Sequence, residues 1–225
     1  MKTVIWIFVG VFAIAGAGMV MGGDNEGWVD LIQGDGLEGW RGYQMETVPP
    51  GWSLEDGVIV SVPEKGTTDL ITEEQFGDFE LVVEWKIGEG GNSGIMYRVS
   101  EEGVKAWHSA VEIQILDNDR HKDKTVDLGH AAGAVYALWP AKKEAFRDHG
   151  EWNETRIVAK GKNIEVYLNG VEIVKFEVGS DEWKEKIAAS KFAKHPGLGE
   201  LEKGHIVLQA HGSNAWFRNL KIREL

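Results

Sequence analysis

The 225-residue chain carries a formal net charge of −12, with 29 glycines and no cysteine. So acidic a chain argues against a nucleic-acid partner, because phosphate binding needs clustered lysine and arginine. The missing thiols exclude disulfides, thiolate catalysis and cysteine-held zinc, and the length suits one domain with a sizeable core.

The chain opens on Lys2, an apolar run from Val4 to Ile14 and the small residues Ala15-Gly16-Ala17. Residues 1–22 are read as a signal peptide, with a short N-terminal membrane anchor as the alternative. Either reading sets a single domain, 24–225, outside the cytoplasm, periplasmic or secreted, with no stable membrane insertion once a signal is cleaved.

Strand patterns dominate from there. GVIVSV (57–62) follows the turn Glu55-Asp56-Gly57. FELVVEWKI (79–87) alternates, with Phe79, Leu81, Val83, Trp85 and Ile87 on one face. SGIMYRV (93–99) follows the glycine-rich turn 88–92, and VEIQILDND (111–119) sets Glu112 and Gln114 opposite Val111, Ile113 and Ile115. Residues 163–178 read as a hairpin with Asn169-Gly170 at its tip. One helix is predicted after Ser180, with Asp181 and Glu182 in its first turn and an end before Pro196-Gly197. HIVLQAHG (205–212) and AWFRNLKIREL (215–225) close the chain as strands. The class is all-β: a sandwich or jelly roll with one helical insertion.

Each alternating strand has a polar side: Glu84 and Lys86; Gly94, Met96 and Arg98; Glu112 and Gln114; Gln209 and His211. On one curved sheet these would make a concave floor of carboxylates, amides, an arginine and an imidazole. An ordinary solvated face shows polar residues as well. Amides and histidine are poor plain solvent cover, however, and Trp107 and Trp139 fall in loops near these strands, where rings stack on sugars or anchor the loop.

Glu112-x-Gln114-x-x-Asp117 resembles the two-carboxylate strand of retaining β-sandwich glycosidases, but the middle acid is an amide. Asp117, Asp119, His121 and Asp123 form an oxygen and imidazole series suited to a divalent cation, Ca²⁺ or Mn²⁺, or to an acidic solvated loop.

GNSGIMYR (91–98), VEIQILDN (111–118), GAVYALWP (133–140), SKFAKHPGLG (190–199) and GHIVLQAHGSNAWFRNLKIREL (204–225) are similar to segments of the 3-keto-disaccharide hydrolase domain family. WVDLIQGDGLEGW (28–40) resembles that family's opening, so the likeness spans the chain after residue 27. The chain departs from the family at Val111, Ala137 and Ala210, where members often carry an aromatic residue, an Asp and an Asp.

The resemblance implies a concanavalin A-like jelly roll of two antiparallel sheets, an exported setting and an oxidised (3-keto) sugar as substrate. It implies cleavage by removal of the C2 proton, β-elimination and hydration. The expected catalytic residues are Glu112, His211 and Arg98, with Asn92, Gln114, Gln209, Trp107 and Trp139 binding substrate and Asp117 and His121 holding any divalent ion. The alternatives are a non-catalytic glycan-binding module and a retaining glycosidase.

Overall fold

The computed structural model describes residues 27–122, 126–195 and 197–225. The expected signal segment lies outside the described residues, as does Asp123. Among the described residues no helix is long and apolar enough to cross a membrane.

Among the described residues thirteen strands form two antiparallel sheets, the expected sandwich. In chain order they are β1 (Val29–Asp30), β2 (Trp40–Gly42), β3 (Trp52–Glu55), β4 (Val58–Ser61), β5 (Leu70–Thr72), β6 (Phe79–Ile87), β7 (Asn92–Val99), β8 (Glu112–Leu116), β9 (Asn153–Lys160), β10 (Asn163–Leu168), β11 (Val171–Glu177), β12 (His205–Leu208) and β13 (Ala215–Glu224). The larger sheet runs β11-β10-β9-β6-β13-β4-β3, with β1 added beside β13. The smaller runs β2-β5-β12-β7-β8.

The core lies between them. From β6 come Phe79, Leu81, Val83, Trp85 and Ile87, each no more than 2% exposed, as the alternation requires. The smaller sheet answers with Ile95, Tyr97, Ile113, Ile115 and Leu208. The buried Trp85 indole donates to Thr155 Oγ1 at 2.9 Å, so its polar atom is not orphaned. The β10–β11 hairpin turns at Asn169 and Gly170, both at positive φ (50° and 79°), which is why Asn-Gly is the residue pair found there.

The helix α1 (Asp181–Ala189) begins where Ser180 accepts a hydrogen bond from the Trp183 N–H. Its one buried residue, Trp183, stacks in line with Phe176 and Trp139, so the insertion is bolted to the sandwich by aromatic packing. A 3-10 turn, Lys191–Lys194, follows it.

One expectation about the faces fails. Glu84 and Lys86 lie on β6, in the larger sheet, and not beside Glu112. Glu84 accepts from Arg218 and Asn219, and the Lys86 ammonium lies over the rings of Trp152 and Trp216. Both belong to the outer face of the sheet opposite the candidate site.

Candidate functional site

The site is built on the outward face of the smaller sheet. One end of that face is dry: Ile71, Met96, Val99 and Val207 pack with Tyr43, Ala106 and Ala110. The other end is polar, because β8 presents Glu112 and Gln114, paired in register with Met96 and Gly94 of β7, and Asn92 follows on the same β7 face. Gly94 is what gives Glu112 room. A Cβ at position 94 would sit 2.7 Å from Glu112 Oε1 and 2.9 Å from its Cγ, so the Glu112 side chain lies where any other residue would stand.

These residues floor a cavity of about 360 Å³. Asn92, Glu112, Gln114, Gln209, His211 and Trp107, all expected from the sequence, line it together. A second lobe of about 320 Å³ continues past Asn92, Gln114, Tyr136 and His211, which belong to both, toward His121, Val126 and His130. Each lobe falls at the lower end of the range of small-ligand cavities.

Glu112 is only 9% exposed. Burial raises its carboxyl to about 7; Lys191 pulls it down, Asp69 pushes it up, and a hydrogen bond from Gln209 lowers it again. With the Gln114 amide turned to suit its neighbours, its nitrogen donates to Glu112 Oε1 at 3.0 Å and to the Ser93 carbonyl at 3.2 Å. Among the described residues the buried Gln209 Oε1 has no hydrogen-bond partner. A carboxyl poised near neutrality, steadied by two amides and opening on a cavity, is suited to proton transfer.

Three expected residues are elsewhere. Arg98 does not reach the cavity. Strand alternation would put it on the floor with Met96, but the β7–β12 register shifts between His205 and Val207, and Arg98 adopts φ 50°. The bulge turns its guanidinium to the Gly77 and Gly161 carbonyls (3.0 and 2.7 Å) and to Asp78 (3.1 Å). Gly204 permits this close approach: a Cβ there would meet the Arg98 carbonyl carbon at 2.4 Å.

Trp139 is core, not a sugar platform. It stacks on Phe176 at 4.4 Å and donates to Glu182 at 3.3 Å, since ring burial on that side outweighs exposure in a loop.

Asp117 does not fit a metal ligand. Its Oδ2 accepts from Gly90 N–H at 2.8 Å, and its Oδ1 from the N–H groups of Asp119 and Arg120 at 3.2 Å each. The carboxylate ties the end of β8 to the β6–β7 turn. His121 lines the second lobe instead, and among the described residues no three acidic or histidine side chains converge on one point.

Four polar residues lining the first lobe escaped the sequence analysis as site residues: Asp69, Lys105, Tyr136 and Lys191. Asp69 precedes β5, a three-residue strand too short to show alternation. Burial raises its carboxyl, and its Oδ1 accepts from the Ala210 N–H at 2.9 Å. It thus puts a carboxylate beside His211 even though position 210 is alanine. Tyr136 comes from a loop and Lys191 from the 3-10 turn after α1, and only the fold brings them together; their signal was membership of the segments 133–140 and 190–199.

Comparison with known proteins agrees with this architecture. Residues 27–223 match the model of the 3-keto-alpha-glucoside-1,2-lyase-like domain. A protein of Bacteroides thetaiotaomicron named 3-keto-disaccharide hydrolase is 32% identical, over 90% of this chain and 80% of its own length. A crystal structure of a candidate glycosyl hydrolase from Parabacteroides distasonis is 30% identical with a TM-score of 0.83, covering 92% of this chain and 98% of that one. A second from the same organism is 29% identical with a TM-score of 0.67, covering 88% and 99%. The chain belongs to the 3-keto-alpha-glucoside-1,2-lyase-like domain family, and is built as a carbohydrate-active enzyme.

Proposed function

We propose that this protein is an exported enzyme that cleaves 3-keto-glycosides, with Glu112 as the base. The observation that carries the proposal is a buried carboxyl, raised to about 7, on the floor of a cavity of sugar size. The name of the Bacteroides relative supports the substrate class, and the apolar run at residues 4–14 supports export.

A ketone at C3 acidifies the C2 proton. Glu112 removes it, and the C–H electron pair becomes the C2=C3 bond of an enolate. When the enolate collapses, the ketone re-forms, a C1=C2 double bond appears and the C1–O bond breaks. His211, at the exposed lip shared by both lobes, is suited to give the departing oxygen its proton. Water then adds at C1 of the enone, and the net result is hydrolysis. Asn92, Gln114 and Gln209 hold hydroxyls, and Trp107 adds an apolar wall.

Asp69 gives the cavity a second carboxyl group, so direct hydrolysis of an unoxidised glucoside is the competing reading. One assay separates the two: paired incubation with an aryl glucoside and its 3-keto derivative, with and without added Mn²⁺ or Ca²⁺. Aglycone release from the 3-keto substrate alone is expected. Release from the unoxidised glucoside at a similar rate would support the competitor, and release from neither would leave a sugar-binding module.

A further inference from the structure

Proton removal by Glu112 leaves negative charge on the sugar's C3 oxygen, and the arginine expected to meet it lies elsewhere. Two cations line the cavity, Lys105 and Lys191. Lys191 is distinguished by how it is held.

It is the first residue of the 3-10 turn after α1, and its backbone is pinned on both sides. Ser190 Oγ donates to the Ile187 carbonyl at 2.9 Å and accepts from the Phe192 N–H at 3.1 Å. Phe192 is buried in the core, only 4% exposed. Further on, Gly199 (φ +70°) packs against Trp183 and donates to the Ser109 carbonyl at 2.8 Å, tying the insertion to the segment that leads into β8.

From this anchor the Lys191 chain stays exposed along much of its length, while its ammonium lies over three rings. Nζ is 4.1 Å from the Tyr136 centroid, 5.1 Å from Phe192 and 5.4 Å from Trp107. Ring faces attract an ammonium weakly, by roughly 0.5–1 kcal/mol at exposed sites, and occupy none of its N–H donors as a carboxylate would. The cation is placed but not spent. It also senses Glu112: partial burial lowers its pKa, and the Glu112 carboxylate pulls it back up.

We propose that Lys191 is the catalytic cation of the site, donating to the C3 carbonyl of the oxidised sugar and stabilising the enolate that Glu112 creates. The proposal rests on the function inferred above. When the proton leaves C2, negative charge moves from the Glu112 carboxylate to the C3 oxygen, and Lys191 faces it before and after. A cation already in place needs no reorganisation during the step, and a sugar filling the cavity would expel water and strengthen the attraction. The ammonium keeps all its protons, and no covalent bond to nitrogen forms.

The test uses Lys191→Met and Lys191→Arg in the full chain, with a 3-keto-aryl glucoside for turnover and 3-ketoglucose labelled with ¹³C at C3 for binding. Lys191→Met should lower kcat about 10²-fold or more, the size of a lost oxyanion donor, with a smaller change in KM. Lys191→Arg should recover part of the loss. The carbonyl signal of bound 3-ketoglucose should move downfield in the wild type and not in Lys191→Met. A kcat within about threefold of wild type in Lys191→Met, or an unchanged carbonyl shift, would overturn the proposal, as would a borohydride-trapped sugar adduct on Lys191, which would make the amine a nucleophile. If the wild type turns nothing over, the carbonyl shift still decides the role of Lys191, and the failure belongs to the assigned reaction.

Discussion

Among single residues, Glu112 and the space that Gly94 leaves for it decide what the cavity can do. Its carboxyl titrates near 7 in the folded chain against an ordinary 4.5. The base must be ionised, so kcat/KM on a 3-keto substrate should climb as pH rises through about 7, and Glu112→Gln should lose roughly 10²–10⁴-fold above that pH, with a smaller loss below it. Stability runs the other way. Between about 4.5 and 7 the folded state keeps a proton that the unfolded chain has released, so this group costs stability as pH rises across that window. The cost reaches roughly 3 kcal/mol above pH 7. Glu112→Gln should therefore melt several degrees above wild type at pH 8 and within about a degree of it at pH 4, as read by calorimetry. Gly94→Ala makes the complementary case. Its new methyl collides with the flexible end of Glu112 and not with backbone, so activity should fall tenfold or more while the melting temperature drops by less than about 5 °C.

Among the elements, the β7–β12 bulge decides which residues reach the cavity. Arg98→Met would strand two carbonyls and remove a charge that is 4% exposed at its side chain, so urea unfolding should show a loss of about 2–4 kcal/mol. The folded fraction should keep kcat/KM within about threefold, whereas a catalytic arginine would lose orders of magnitude.

The same bulge shows where sequence reasoning stopped. Strand β6 was legible residue by residue because its nine residues alternate with Val82 as the one fault, and the Asn169-Gly170 hairpin because its turn demands positive φ at both positions. The Ser180 cap was legible for a similar local reason. The floor residues on β8 followed from the same period of two, which is why Glu112 and Gln114 were found, whereas Asn92, set in the turn 88–92, came from the family resemblance. Arg98 was misplaced because a one-residue shift flips a side chain and leaves no mark in the alternation. Glu84 and Lys86 were misplaced because periodicity assigns a face and never a sheet. Trp139 was misplaced because its partners, Phe176 and Trp183, are 37 and 44 residues away in sequence. Ala137 adopts φ 57°, a conformation that Asp or Asn tolerates better. Ala137→Gly should therefore stabilise the chain by about 0.5–1 kcal/mol in thermal unfolding.

For the whole molecule, the sandwich divides its labour. The larger sheet covers the core and carries a ladder of ion pairs on its outer face, where Arg156 and Arg223 both bind Glu80. The smaller sheet turns its outer face into a cavity, and the insertion carrying α1 brings Lys191 to the rim above it. A buried carboxyl below and a ring-held ammonium above suit a substrate whose reacting atoms are a C–H bond and the ketone beside it. That distinction is open to direct measurement with a 3-keto-aryl glucoside carrying deuterium at C2. If Glu112 breaks the C2–H bond, aglycone release should slow by a primary isotope effect under single-turnover conditions, and hydrogen from solvent should appear at C2 of the product. Release at the same rate with deuterium fully retained at C2 would contradict the elimination chemistry and return the site to direct displacement at C1.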